Sequence, residues 1–118
     1  MEITKGPGKR YHIAMVRGDY ESIGINLTGY TPADGDFVEL TVRQTPLSDV
    51  LIYKKVTDFA EGRALIEFLP DDTEPLAFGR YVYDIQLTYS GCKPKTIVKL
   101  SDFVLEQEST YGRLGNHG

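Results

Sequence analysis

The stretch from Leu65 to Tyr89, LIEFLPDDTEPLAFGRYVYDIQLTY, carries the clearest structural signals in the chain. Ile66 and Phe68, with Ala64 just before them, recur at period two, the spacing that lines one face of a strand. Pro70 ends that strand because it has no amide proton to give a ladder. Asp71-Asp72-Thr73-Glu74 then predicts one short helical turn, its carboxylates set against the free N–H groups of the turn's start. Gly79 restarts the chain, and Tyr81, Tyr83, Ile85 and Leu87 share one face of the strand that follows.

Short strand-like runs recur on both sides of this corner. The pattern predicts strands over residues 10–16, 20–27, 37–44, 50–56, 63–69 and 95–105, besides the one that starts at Gly79. Ile23, Ile25 and Leu27 line one face of the second run. Val38, Leu40 and Val42 line one face of the third, with Glu39, Thr41 and Arg43 opposite. Pro46 ends the third run. Lys54-Lys55 closes the fourth, a pair suited to an edge strand that must resist aggregation. Ser101-Asp102 breaks the alternation of the last run and predicts a bulge.

The spacing favours an all-β fold, an immunoglobulin-like sandwich of two antiparallel sheets with about seven strands, over a small closed barrel. The corner decides between them. A tyrosine at the start of the sixth strand can bury its ring and return its hydroxyl to the corner backbone; Tyr81 is the best-placed candidate and Tyr83 the second. Gly79, Pro70, Tyr81, Tyr83 and Ile85 are therefore the expected corner and core residues. Residues 1–9, with two glycines and a proline, read as a flexible arm or docking segment, 10–106 as the sandwich, and 107–118 as a polar tail.

At 118 residues the chain is long enough for one domain with a single core. A net charge of −4 gives no basic footprint for nucleic acid and disfavours anionic membranes. Cys92 is the lone cysteine, which excludes an intrachain disulfide and a multi-cysteine metal site. No apolar stretch of signal length precedes Arg17, and none approaches the roughly 18 residues of a membrane-spanning helix. The expectation is folding in a reducing cytoplasm.

The short motifs read as structure. Arg17-Gly18-Asp19 spells an integrin-binding tripeptide but falls between two predicted strands, where Gly and Asp serve a turn. Asn26-Leu27-Thr28 fits the glycosylation pattern and ends a strand. Asp34-Gly35-Asp36 begins like a calcium loop, yet the twelfth position is Thr45 where a Glu is required. Asp71, Asp72 and Glu74 suit capping and solubility better than a calcium site. His12 and His117 form no zinc pattern, and Cys92 has no base beside it. No catalytic residue, metal or cofactor is expected, and no small-molecule substrate. Tyr20, Tyr30, Tyr53 and Tyr89 lie near strand ends or loops, where tyrosine serves either a sheet or an interface.

The pieces MVRGDYESIGINL (from Met15), FVELTVRQTP (from Phe37), LIYKKV (from Leu51), ALIEFLPDDTEPLAFGRYVYDIQLTY (from Ala64) and VKLSDFVLEQE (from Val98) resemble, in this order, the N-terminal immunoglobulin-like domain of phage baseplate upper proteins. The resemblance covers about residues 13–106, and the corner with its tyrosine strand is its most specific part. It implies a non-enzymatic structural module of a tailed phage or prophage. Its partners would be other phage structural proteins and a second copy of itself. Its location would be cytoplasmic before assembly and in the virion after it. Baseplate upper proteins continue into further modules after this domain, so a chain ending at Gly118 is expected to be a smaller tail or baseplate component. The alternative is a bacterial immunoglobulin-like module that binds a surface glycan or protein.

Overall fold

The computed structural model describes residues 2–4, 10–27, 33–58, 62–89 and 93–107. They form strands β1 (Glu2–Thr4), β2 (Ile13–Val16), β3 (Glu21–Asn26), β4 (Phe37–Arg43), β5 (Val50–Val56), β6 (Arg63–Phe68), β7 (Gly79–Tyr89) and β8 (Lys93–Glu106). One helical turn, α1 (Pro70–Thr73), joins β6 to β7. The smaller sheet has the order β1-β3-β6 and the larger β2-β8-β7-β4-β5.

The protein is all-β, with two corrections to the expected architecture. First, the sheets are mixed rather than antiparallel. β1 runs parallel to β3 and β2 parallel to β8, while the other pairs are antiparallel. The N-terminal segment gives one strand to each sheet, and each lies beside a strand that runs the same way. Second, eight strands stand among the described residues rather than about seven. The extra one is β1, within the segment read as an arm; residues 1 and 5–9 of that segment, and 108–118 of the tail, lie outside the described residues.

The period-two patterns become one core. Val38, Leu40 and Val42 from β4, Tyr81, Tyr83, Ile85 and Leu87 from β7, and Ala64, Ile66 and Phe68 from β6 are all buried together. Phe68 of the smaller sheet meets Phe103 of the larger with ring centroids 5.7 Å apart. Tyr83 contacts Phe103 edge-on at 6.3 Å, a favoured arrangement of aromatic quadrupoles. Strand pairing also moves the expected bulge. Ser101 and Asp102 pair regularly with Tyr83 and Val82, and the register instead slips between Ser101 and Thr96, opposite Ile85. The slip lets the consecutive residues Ile97 and Val98 both be buried, which strict alternation forbids.

Candidate functional site

The corner is held by a dense set of side-chain bonds to the backbone. Pro70 opens α1 rather than merely ending β6, because at a helix's first position its missing N–H is not needed. The Asp72 carboxylate accepts the Leu69 N–H at 2.7 Å and pairs with the Lys54 ammonium at 2.6 Å. Gly79 starts β7 with φ +136°, a conformation that side chains disfavour. Two residues on, Tyr81 is buried and its hydroxyl donates to the Ala77 carbonyl at 2.7 Å. Tyr83 is fully buried, and its hydroxyl reaches the Tyr11 carbonyl at 2.6 Å. Burial, and secondarily Tyr11, pushes the Tyr83 pKa well above the ordinary 10. Ile85 lies in the middle of the core, paired with Leu40 and Val98.

The turn between β2 and β3 is pinned to this corner. The Gly18 N–H donates to the hydroxyl of buried Thr73 at 2.8 Å, and Gly18 itself has φ +86°. The Arg17 guanidinium lies 4.5 Å from the Phe78 ring centroid and donates to the Leu76 carbonyl at 3.3 Å. Arg17-Gly18-Asp19 therefore works as a joint that holds two loops together. Its arginine is turned onto the protein, not presented on a projecting loop.

A cavity of about 310 Å³ brings Arg10, Tyr11, His12, Leu100, Ser101 and Asp102 together. Serine, histidine and aspartate are the residue types of a hydrolytic triad, but the bonding here is structural. The Ser101 hydroxyl donates to the Lys99 carbonyl at 2.6 Å and accepts the Tyr11 N–H at 3.2 Å. Its proton is committed to the backbone, and a nucleophile needs that proton held by a base. Ser101 thus ties the chain before β2 to the slipped segment of β8.

The outer face of the larger sheet is polar. The exposed Tyr53 hydroxyl donates to Glu39 at 2.5 Å, and that bond raises the tyrosine's pKa. Asp84 lies opposite Thr41; burial raises its pKa, with Arg43 acting against the rise and Glu39 adding to it. Lys55 places its ammonium 4.2 Å from the Phe37 ring centroid. Of the remaining loop residues, the Asp36 carboxylate accepts the Ala33 N–H at 3.0 Å while its own N–H donates to the Ala33 carbonyl at 3.1 Å, two bonds that close the turn before β4. Tyr20 is exposed and bonds Glu67 at 2.5 Å, Tyr89 packs partly against the core, and Tyr30, Thr28, Cys92 and His117 lie outside the described residues.

The open surface lies where the two sheets end on the same side, at β5 and β6. Each is the last strand of its sheet. A groove of about 270 Å³ runs between them, lined by Lys54, Lys55, Val56, Leu65, Ile66, Glu67 and Leu69. Leu65, Leu69, Leu51 and Tyr53 are large side chains exposed along this side. Of the two lysines in the groove, Lys54 pairs with Asp72 and Lys55 lies over the Phe37 ring. The sequence signal for this surface was present in Arg63, Leu65 and Glu67, the exposed half of β6's alternation, but edge position is a property of the sheet order. Sequence reasoning also missed Thr73 and Arg17 as corner residues. No family model matches the chain, and comparison with the curated proteins finds no relative.

Proposed function

We propose that the chain is a non-enzymatic assembly module with an immunoglobulin-like sandwich fold, working by protein–protein contact as a tail or baseplate component of a tailed phage or prophage. The observation that carries the contact reading is the open side along β5 and β6, where both sheets end and Leu65 and Leu69 are exposed. Exposed sheet edges with apolar neighbours are templates for pairing with another chain. Two features support the fold assignment: the hydroxyl of Tyr81 bonded to Ala77 at the start of β7, and an N-terminal segment shared between sheets that have the orders β1-β3-β6 and β2-β8-β7-β4-β5. The phage context rests on the resemblance of residues 13–106 to baseplate upper proteins. The Ser101 hydroxyl, the one nucleophile type in the cavity beside Tyr11 and His12, is committed to the backbone, which favours assembly over catalysis.

A binding module for a surface glycan or protein is the second reading. The outer face with Tyr53, Glu39, Arg43 and Asp84 favours it, since an exposed aromatic beside fixed hydrogen-bonding groups suits a polar ligand. Mass spectrometry of particles released after prophage induction tests the first reading. The expected result is the chain in tail-containing particles at a fixed ratio to structural subunits. Absence from intact particles, with the chain present in the lysate, overturns the phage assignment, and glycan-array binding by the monomer then supports the second reading.

A further inference from the structure

β6 is an edge strand whose sequence is complementary to itself. Its outward residues are Arg63, Leu65 and Glu67, and its inward residues Ala64, Ile66 and Phe68. Among the described residues it pairs only with β3. Its other side borders the groove shared with β5 through Leu65, Ile66 and Glu67, and no described strand hydrogen-bonds to that side. Leu65 is 41% exposed.

We infer that two copies of this chain pair through β6, antiparallel, about a two-fold axis at Leu65. In that register Arg63 of each copy stands opposite the second copy's Glu67, and Leu65 meets its own counterpart between the two charge pairs. On the inner side, Ala64 faces Ile66, a small residue against a large one. Cross-strand opposite charges and apolar pairs each stabilise a sheet, and like charges directly opposite destabilise it. A two-fold interface requires the same patch to match itself, and this six-residue strand does so on both faces. The edge of β5 does not. Centred on Tyr53, its antiparallel register sets Lys55 against Leu51 and Lys54 against Ile52, with no charge pair. The result of β6 pairing is a continuous six-stranded sheet, β1-β3-β6 joined to its symmetry mate. The inference deepens the assembly reading, resting on it only for the choice of a protein partner.

The register is tested by crosslinking in a Cys92→Ser background. Leu65→Cys places two cysteines directly opposite, at a Cα separation of about 4.5–5.5 Å that a disulfide accepts. Arg63→Cys and Glu67→Cys each leave like positions roughly 13 Å apart, beyond disulfide reach. Expected under mild oxidation is a covalent dimer from Leu65→Cys alone, and from an equimolar mixture of the other two. Equal crosslinking at all three positions, or none at Leu65→Cys, overturns the proposal even if the chain is found in tail particles. Charge reversal supplies a second measurement, by sedimentation equilibrium on the unmodified chain and its variants. Arg63→Glu and Glu67→Arg singly set like charges opposite and are expected to weaken self-association about tenfold, while the double variant restores it. A double variant as weak as the singles, or an unmodified chain monomeric at about 1 mM, overturns the pairing. Tyr20→Phe, which removes the Glu67 bond within one copy, is expected to leave association unchanged.

Discussion

The corner after β6 and the outer edge of β6 lie a few residues apart, and their side chains have opposite assignments. At the corner, Tyr81 holds the backbone four residues before it, Thr73 and Arg17 each hold a backbone group of a distant segment, and Tyr81 and Thr73 do so while buried. Along the edge, Leu65 is exposed beside a groove that Lys54 and Lys55 also line. Polar groups taken out of water must be bonded or they oppose folding. Apolar groups left in water at a sheet edge oppose nothing in the monomer, but they gain when covered. The corner is thus specified for the fold, and the edge is available for a partner.

Substitutions at the corner should break the fold and those at the edge should spare it. Tyr81→Ala is expected to have the largest effect, a loss of about 3 kcal/mol in urea unfolding, from an emptied ring site and a Ala77 carbonyl without its donor. Thr73→Val keeps the volume but leaves the Gly18 N–H without its acceptor; the expected loss is about 1–2 kcal/mol by the same measurement. Tyr83→Phe is expected to cost about 1 kcal/mol at neutral pH and to show its cause in alkali. The folded pKa of Tyr83 lies above the ordinary value of 10, so its contribution is complete below pH 10 and is lost as pH climbs toward the folded value, where the unfolded chain gives up the proton first. Stability of the unmodified chain should therefore fall more steeply above pH 10 than that of the Phe variant. Leu65→Ser, at the edge, should change monomer stability by less than about 0.5 kcal/mol. A large loss there would erase the contrast between the two regions.

The local parts of this contrast were legible in the sequence. Pro70, Gly79, Tyr81 and the alternating residues of β4, β6 and β7 show themselves because backbone restriction and period-two burial act within a few residues. The parts that were not legible depend on distant chain. β1 has three residues and its register partners are Gly24, Ile25 and Asn26, so no periodicity within it announces the pairing. The slip in β8 is fixed by what Ile97 and Val98 meet across the core, not by the break at Ser101-Asp102 that marks it in sequence. Thr73 and Arg17 looked like turn and surface material, and their roles follow from the β2–β3 turn folding onto the corner. The alternation of Arg63, Leu65 and Glu67 was equally visible, but only the sheet order makes it an edge.

The parallel pairing of β2 with β8 has a mechanical consequence. Ile13 lies beside Phe103 and Val16 beside Glu106, so the chain enters β2 at one end of this ladder and leaves β8 at the other. Tension applied through residues 10 and 107 pulls along the strands and strains these hydrogen bonds together, in shear. Two antiparallel strands pulled from one end would instead peel apart a bond at a time. A module anchored to one neighbour before β2 and to another after β8 would oppose their separation with the whole ladder at once.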